Sequence, residues 1–453
     1  MDSNDRQTPH YPLRSRRQSI IADLREDLST WIAGRLIPSG ERDPGRREEC
    51  GGLLLRDASG RVPLAGATGA QGGGGEIRAG AREARAGDLV DLQGVLRQGV
   101  FEVHDLVLLA PGRVNPPEGS LNHSLWRAGQ EPFLRRSLTR KALREFFEAE
   151  GFWEVETPTL VPAAGQEPHL QPFETEVATT LGPRRAFLIT SPEYGHKRLL
   201  AAGHEKIFEI TRAYRNGCEE GLDLHWYEFC MLEWYRAYAC YEEIMADTEN
   251  LLWRLALDLR PASAAEFKPP FRRITVEQAF GELAGVDLVP FLDGDAETFA
   301  GDEARAGRFG LDPQDSSETR FFKILVAGIE PALARMGPVF LVDYPASQAA
   351  LSKLKSDDDR LCERFELYVN GVELANGFTE LNDPQAQRRR FEEEARARGA
   401  AGGAPVPVDE AFLEALELGM PPAGGVALGV DRLILVIYGE ESLDRLLPFG
   451  RHF

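Results

Sequence analysis

The dipeptide Asn370-Gly371 constrains the fold of this chain strongly, because it joins two runs of alternating apolar residues. Both positions of a two-residue hairpin turn take positive φ, so Asn-Gly between such runs predicts a β-hairpin. With this turn, Tyr368 lies opposite Glu373, and Glu366 is a diagonal neighbour of Glu373 on the same face, roughly 7 Å away. Two carboxylates this close favour a divalent cation between them. A solvated outer face of the hairpin is the alternative.

Length, charge and cysteine content limit the class of protein. The chain has 453 residues, enough for two or three domains. Its formal net charge of −20 argues against broad, non-specific binding of nucleic acid. No apolar run reaches the length of a membrane span, so we expect no membrane association. The five cysteines show no paired or metal-ligand spacing, which predicts a cytoplasmic protein.

Composition changes along the chain predict its domain organisation. Short apolar runs separated by turn residues, with no lysine, predict a small β module without a basic groove near the N-terminus. Antiparallel strands between helical blocks predict an α+β domain after it. In that domain we expect a helix over 137–150 that ends at Gly151. The predicted segments are a disordered tail (1–19), the β domain (20–112), a linker (113–131) and the α+β domain (132–453), with a mixed, mostly helical insertion (262–335).

Two predicted strands in the α+β domain, 206–216 and 225–235, present a mixed face. Period-two alternation places one aromatic, one acid and one phenol, Phe229, Glu233 and Tyr235, on the same side of the second strand. Such a face suits a ligand floor in which the acid holds a cation. Core packing with a buried salt bridge is the alternative at this point.

Two shorter motifs are also candidates. The segment 424–433 runs from glycines into a helix, and glycines let a ligand approach the backbone while Arg432 can meet a phosphate. A solvated helix face is the alternative for Arg432. Ser191-Pro192-Glu193 follows a predicted strand, and a simple turn is the alternative there.

Together these segments resemble the three signature motifs of the class II aminoacyl-tRNA synthetases. Residues 151–158 resemble motif 1, whose proline marks a dimer interface, residues 215–235 resemble motif 2, and residues 424–433 resemble motif 3. The resemblance covers about residues 130 to 450. It implies an α+β fold, a class II synthetase-like antiparallel sheet flanked by helices, and a homodimer.

Within class II the resemblance is to the lysine branch, through residues 231–235 and 377–383. Residues 344–351 and 425–432 resemble the lysyl-synthetase paralogue that attaches β-lysine to a lysine of elongation factor P. Lysyl-tRNA synthetases generally carry glycine where this chain has Ala427. A methyl group there reshapes the amino-acid pocket and fits a substrate other than α-lysine.

The resemblance implies ATP and magnesium as cofactors, a carboxylate that attacks the α-phosphorus, and a set of site residues. Those implied for the amino acid are Ser191, Glu193, Glu233, Tyr235, Glu373, Asn376, Glu380 and Ala427. Those implied for ATP are Arg215, Asn216, Glu219, His225, Phe229, Glu366, Leu367, Gly429 and Arg432. Of these, Arg215 and Arg432 are the catalytic arginines that bind phosphates, and Glu366 with Glu373 carries magnesium.

The chain departs from the family pattern in two places. The loop after Arg215-Asn216 is two residues longer, which makes Glu219 the candidate for the adenine-side acid. The N-terminal module resembles the OB-fold that reads the anticodon in lysyl-tRNA synthetases, which the modifying paralogue usually lacks. It has few aromatics beyond Trp31 and Phe101 for stacking on bases. We therefore interpret it as a degenerate OB-like domain that contacts a dimer partner or docks a protein acceptor.

The hypothesis that follows is a ligase that activates lysine or β-lysine with ATP and transfers it to elongation factor P. A lysyl-tRNA synthetase that charges tRNA is the first alternative, because an OB-like domain is present. A non-catalytic, regulatory paralogue is the second, because the motif 2 loop is altered.

Overall fold

In a computed structural model, the chain divides into two compact units, residues 1–130 with 448–453 and residues 131–447. Nearly all of the predicted tail and linker, and Glu219, lie outside the described residues. The residues described are 17–38, 53–57, 61–66, 76–79, 82–110, 112, 130–167, 170–217, 224–292, 307–312, 314–349, 351–400, 402, 404–447 and 449.

The strands of the first unit are β1 (Ser29–Pro38), β2 (Leu53–Arg56), β3 (Arg61–Gly66), β4 (Glu76–Ala79), β5 (Arg82–Arg85), β6 (Leu89–Arg97) and β7 (Val100–Ala110). Those of the second are β8 (Trp153–Glu154), β9 (Leu160–Val161), β10 (Glu174–Thr179), β11 (Gly182–Leu188), β12 (Lys206–Tyr214), β13 (Glu228–Ala237), β14 (Arg272–Thr275), β15 (Val339–Pro345), β16 (Leu361–Val369), β17 (Val372–Thr379) and β18 (Ala423–Gly429).

The α-helices are α1 (Glu131–Ala149), α2 (Glu193–Ala201), α3 (Tyr241–Leu259), α4 (Val276–Gln278), α5 (Val289–Leu292), α6 (Ser317–Ile324), α7 (Glu330–Leu333), α8 (Pro384–Ala400), α9 (Glu410–Gly419) and α10 (Val430–Tyr438). Among the described residues, no helix combines the length and the apolar character needed to cross a membrane.

The N-terminal unit contains a closed five-stranded barrel in the order β1-β2-β3-β7-β6. Ile32, Leu92 and Phe101 are completely buried inside it. The prediction of a small OB-like barrel is therefore confirmed. Burial in the barrel core removes Phe101 from any role in stacking on a base.

The second unit is built on an eight-stranded sheet in the order β14-β15-β16-β17-β18-β13-β12-β8. The strands pair antiparallel except at the two edges, where β14 lies parallel to β15 and β8 parallel to β12. Helices α1, α3 and α10 share one large hydrophobic core with one face of this sheet. The predicted α+β class with a flanked antiparallel sheet is confirmed.

Helix α1 begins at Glu131, six residues before the predicted start at residue 137. Its first turn is held by Arg135, whose guanidinium binds the carboxylates of Glu131 and Glu440. The contact with Glu440 is distant in sequence and could not be read from local periodicity. Gly151 lies just past the helix end with φ of 78°, as a C-terminal glycine should.

The hairpin of β16 and β17 turns at Asn370 and Gly371, whose φ values are 52° and 80°. Tyr368 pairs with Glu373, but Leu367 pairs with Ala375, so Leu374 is an additional residue in the ladder. Leu374 and Ala375 therefore both face the hydrophobic core. This β-bulge shifts the alternation of β17 by one residue beyond Glu373, which strict period two does not predict.

Candidate active site

The face of the sheet opposite the large core lines a cavity of about 640 Å³ within the second unit. Its walls come from β13, β16, β17 and β18, from the chain around Ser191, and from α6 and α8. The predicted site residues that line the cavity are Ser191, Glu193, Arg215, Glu233, Tyr235, Glu366, Glu373, Asn376 and Ala427.

The floor of the cavity is a single row of residues in register across the sheet. Glu233 on β13 pairs with Ala427 on β18, Ala427 pairs with Asn376 on β17, and Asn376 pairs with Glu366 on β16. With strands about 4.8 Å apart, Glu233 and Glu366 are separated by roughly 14 Å of sheet. The row therefore places one carboxylate at each end of a slot, with an amide and a methyl group between them.

Asn376 reaches this row because of the bulge at Leu374. Without the additional residue, alternation from Glu373 would turn Asn376 towards the hydrophobic core. The bulge brings both Glu373 and Asn376 to the cavity side. It is the local feature that assembles this wall of the site.

Glu233 is buried and held by three side chains. Ser191 donates its hydroxyl to Oε1 at 2.6 Å, and Tyr235 donates its hydroxyl to Oε2 at 2.9 Å. His196 Nδ1 lies 3.4 Å from Oε2. Burial and the carboxylate of Glu233 raise the pKa of Tyr235 well above its usual value, so this phenol stays protonated and donates.

Behind the cavity wall, the ammonium of Lys197 lies 2.6 Å from both Glu193 Oε1 and Glu380 Oε2. Lys197 and Glu380 are completely buried, and neither is among the described residues that line the cavity. Burial raises the pKa of Glu193 to about 7 and that of Glu380 to about 8, although Lys197 opposes both shifts. Glu193 faces the cavity while Glu380 supports it from beneath.

A second buried cation lies beside this pair. His196 Nε2 is 3.0 Å from Glu209 Oε2, and the ring also faces Glu233. Burial lowers the pKa of His196, but the carboxylates of Glu209 and Glu233 outweigh it and raise the pKa to about 9. Sequence reasoning missed Lys197, His196 and Glu209. Pairing β12 with β13 would have placed Glu209 opposite Glu233 and indicated that a cation was needed there.

At the other end of the floor, Glu366 is enclosed by three donors. The hydroxyls of Tyr344 and Tyr368 lie 2.6 and 2.8 Å from Oε2, and Arg364 Nη2 lies 2.7 Å from Oε1. Burial raises the pKa of Glu366, Arg364 opposes the shift, and Glu373 adds to it. Arg364 is a further cavity residue that the motif pattern did not single out.

Glu373 is less enclosed, and its contacts extend the site past the cavity. Arg432 Nη1 donates to the Glu373 carbonyl oxygen at 2.8 Å and lies 3.3 Å from its Oε2. Arg432 Nη2 lies 3.0 Å from His225 Nε2. Burial, Arg432 and Arg215 lower the pKa of His225, so the ring is neutral and Nε2 accepts the hydrogen bond from Arg432.

The remaining predicted ATP residues differ in their exposure and in whether their side chains can reach a ligand. The Arg215 guanidinium lies 5.2 Å from the centre of the Phe229 ring, so the cation and the predicted adenine platform are adjacent. Asn216 is exposed, and the Leu367 side chain is buried in the large core, which leaves only its backbone for a ligand. Gly429 ends β18 directly before α10.

Gly425 is explained by packing. A Cβ at this position would lie 2.3 Å from the Tyr235 ring and 2.4 Å from Glu380 Oε1. The absence of a side chain therefore leaves room for the Tyr235 ring and the Glu380 carboxylate against β18. The sequence had assigned the glycines of this segment to close approach of a ligand.

Further charged side chains from other segments also line the cavity, among them Glu167, Arg390 and Glu394. Glu167 comes from the loop before β10, and Arg390 with Glu394 comes from α8. Burial, together with Glu167, raises the pKa of Glu394 to about 8. These residues lie outside the three motifs, and the packing of α8 against the cavity places Arg390 and Glu394 in the site.

Two carboxylates at the Glu366 end of the floor could contribute to a divalent-cation site, although no cluster of three metal-ligating side chains forms among the described residues. Glu366 and Glu373 both line the cavity, and carboxylate oxygens are the ligands that magnesium prefers. The Glu373 side chain is 41% exposed, and its Oε2 accepts a long hydrogen bond of 3.3 Å from Arg432 Nη1. The charge of Glu373 also raises the pKa of Glu366, a repulsion that a bound cation relieves.

Comparison with known proteins agrees with this geometry. Residues 126–452 match the family described as tRNA synthetases class II (D, K and N). The elongation factor P–(R)-β-lysine ligases of Salmonella arizonae, Salmonella paratyphi B and Salmonella heidelberg are each 37% identical to this chain over 322 residues. The match covers 70% of this chain and 94% of each relative. The chain therefore belongs to the class II tRNA synthetase family of the D, K and N type.

Proposed function

We propose that this protein is a ligase that activates lysine or β-lysine with ATP and transfers it to a lysine side chain of elongation factor P. The cross-strand row from Glu233 to Glu366 carries the proposal. It presents buried acids for amine recognition at one end and paired carboxylates with nearby arginines at the other. The similarity to elongation factor P–(R)-β-lysine ligases supports the same substrate and acceptor.

The amino acid would lie along the floor with its ammonium groups at the Glu233 end. Glu233 is held as a hydrogen-bond acceptor by Ser191 and Tyr235, and Glu193 faces the same space. Asn376 and Ala427, which pair across β17 and β18, would lie beneath the middle of the substrate. The substrate carboxylate would then point towards Arg215, which lines the cavity.

Activation is an in-line displacement at phosphorus. A carboxylate oxygen of the amino acid attacks the α-phosphorus of ATP, and pyrophosphate leaves. The acceptor amine then attacks the carbonyl carbon, an amide forms, and AMP leaves. The protein contributes by holding the reactants in line and by neutralising phosphate charge with Arg215 and Arg432.

Magnesium would be held by Glu366 and Glu373, where it supplies positive charge to the phosphate oxygens. Phe229 would stack on the adenine, with Arg215 on the neighbouring side. Asn216, Glu219, His225, Leu367 and Gly429 remain predicted ATP contacts, and Glu380 remains a predicted amino-acid contact that acts here through Lys197.

The test is a mass-spectrometric transfer assay with the full chain. The protein is mixed with ATP, magnesium and either α- or β-lysine, with elongation factor P and total tRNA in parallel reactions. We expect a lysyl mass increase on the factor, strongest with β-lysine. No acyl transfer to the factor with any lysine isomer would refute the proposal.

Charging of tRNA is the second candidate function, and the closed N-terminal barrel favours it. Lysyl-tRNA synthetases use an OB-fold at this place to read the anticodon. In the same assay, charging of tRNA without modification of the factor would select this function. An absence of amino-acid-dependent pyrophosphate exchange would instead select the non-catalytic alternative.

We also infer a homodimer in the cytoplasm, the compartment of the proposed acceptor. Large apolar side chains are exposed on α1 and on the edge strand β8, with Leu134 57% and Trp153 67% accessible. Large apolar side chains left exposed at the surface are candidates for an interface. Light scattering should give twice the chain mass, and Leu134→Arg should reduce it to the monomer mass.

A further inference from the structure

One buried ionisable group in the site has no role in the proposed chemistry. His196 lies on α2 with no exposed surface, in contact with Glu209 and with the pocket acid Glu233. The motifs that identify the family do not include it. Its surroundings indicate what it does.

Glu209 and Glu233 face each other directly across β12 and β13. Like charges in such a cross-strand pair destabilise a sheet, and both side chains are almost completely buried. The imidazole of His196 lies between them, with Nε2 3.0 Å from Glu209 and Nδ1 3.4 Å from Glu233. The ring therefore separates two carboxylates that would otherwise repel each other.

The position of the ring between two carboxylates also favours the doubly protonated imidazole. A neutral imidazole has one donor and one acceptor nitrogen, so one of its nitrogens would face a carboxylate lone pair with a lone pair of its own. An imidazolium carries an N–H on both nitrogens, so it can form an ion pair with Glu209 through Nε2 and donate a hydrogen bond to Glu233 through Nδ1. The two acids raise the pKa of His196 to about 9 in spite of burial, which agrees with this state.

Glu209 is anchored from its other side. The backbone N–H of Thr157 lies 3.1 Å from Oε1 of Glu209, and the Thr157 hydroxyl lies 2.8 Å from Oε2. A chain of contacts therefore runs from Thr157 through Glu209 and His196 to Glu233. It ends at the substrate side of Glu233, where Ser191 donates.

The charges around His196 come from each element that packs on it. Glu193 and Lys197 lie on its own helix α2, Glu209 lies on β12, and Glu233 with Tyr235 lies on β13, while Glu380 meets Lys197 from the end of β17. The group therefore contains four carboxyl groups and two basic side chains, so carboxyl groups outnumber the bases where a substrate ammonium would bind.

We propose that His196 is a positioning residue for the amino-acid substrate, whose imidazolium holds Glu233 from behind so that Glu233 presents a fixed carboxylate to the substrate amine. The inference rests on the proposed function for the identity of that amine. The imidazolium itself does not touch the substrate, and its effect passes through Glu233.

The first experiment compares three variants in amino-acid-dependent pyrophosphate exchange. His196→Met should raise the KM for the amino acid about 10- to 100-fold, since a hydrogen bond to a charged group is lost. The KM for ATP should stay within about threefold, because the nucleotide end of the floor is unchanged. Glu209→Gln alone is the matched control, because it removes the charge of Glu209 and leaves His196 in place.

The double variant His196→Met with Glu209→Gln separates positioning from charge balance. It removes both the His196 cation and the Glu209 charge. Thermal stability should therefore recover, while the KM for the amino acid stays high. Recovery of the KM together with stability would overturn the inference, because His196 would then only neutralise Glu209. An unchanged KM in a folded His196→Met protein would overturn it as well.

A spectroscopic measurement on the wild-type chain tests the inference without activity. Nitrogen-15 shifts of the His196 ring, assigned by comparison with the double variant, should show an imidazolium at pH about 8, where an unperturbed histidine is neutral. A neutral His196 ring at this pH would refute the proposal that an imidazolium positions Glu233. If the wild type activates no lysine isomer, the proposed function fails while this measurement still decides the state of His196.

Discussion

Glu233 receives its donors from three separate parts of the second unit: the chain before α2, the helix itself and β13. The sequence predicted Glu233, Ser191 and Tyr235 as site residues from motif resemblance. It could not predict the buried cations behind them, because these depend on how α2 packs on the sheet. The sequence was enough to identify individual site residues, whereas the charge balance of the pocket could be described only from the tertiary structure.

At the residue scale, Glu373→Gln should reduce adenylate formation at least about 100-fold with little loss of stability. Its side chain is 41% exposed, so the substitution removes a metal-binding charge without leaving a buried group unpaired. Pyrophosphate exchange and thermal unfolding measure the two effects. Glu366→Gln should lose activity and stability together, since it disturbs the buried pair with Arg364. Near-normal activity of Glu373→Gln would refute the magnesium assignment.

The same scale predicts a pH dependence of substrate binding. Burial raises the pKa of Glu193 to about 7, so this carboxyl takes up a proton as the pH falls below that value. A substrate ammonium prefers the carboxylate, so binding should weaken as the pH falls. Calorimetry without ATP should show the Kd for the amino acid rising several-fold between about pH 7.5 and about pH 6. Glu193→Gln should bind weakly with no such step, and a flat wild-type profile would contradict the role.

At the scale of elements, the hairpin of β16 and β17 shows which features of a strand pair are determined by residues close in sequence. The turn at Asn370-Gly371 and the pairing of Tyr368 with Glu373 follow from neighbouring residues, and the structure has both. The bulge at Leu374 does not, because it depends on packing of both Leu374 and Ala375 into the large core. Strict alternation therefore predicted that Glu366 and Glu373 share a face of the hairpin, but it did not predict the position of Asn376.

The turn itself can be tested by Gly371→Ala. Gly371 has φ of 80°, and an added Cβ would lie 2.8 Å from the Ala334 Cβ. We expect destabilisation by about 1–2 kcal/mol from the left-handed backbone, with the contact adding to it. Urea unfolding followed by tryptophan fluorescence measures the change. Asn370→Gly, which tolerates positive φ, is the control and should cost less than about 1 kcal/mol.

At the scale of the whole molecule, the chain combines two units with separate cores. All the described residues that line the cavity belong to residues 131–447, and the match to the Salmonella ligases covers 94% of their length but only 70% of this chain. The fold class of both units was predictable, since alternation and motifs are local. The purpose of the barrel was not, because nothing in its sequence specifies a ligand.

Deletion of residues 1–130 should therefore leave amino-acid activation within about threefold of the full chain, as expected for a unit with its own core. Pyrophosphate exchange by the shortened protein measures this directly. Transfer to the acceptor, measured in parallel, reports whether the barrel contributes to docking. A shortened protein that folds but no longer activates the amino acid would show that the barrel supports the site.

Ala427 occupies the one uncharged, non-hydrogen-bonding place in the floor, between Glu233 and Asn376. Its side-chain volume can therefore be varied while the groups that recognise amines and phosphates stay in register. Glycine there would deepen the middle of the slot, and valine would make it shallower. Substitution at position 427 is thus the most direct way to redirect the enzyme to amino acids of other shapes, and to attach unnatural acyl groups to its acceptor.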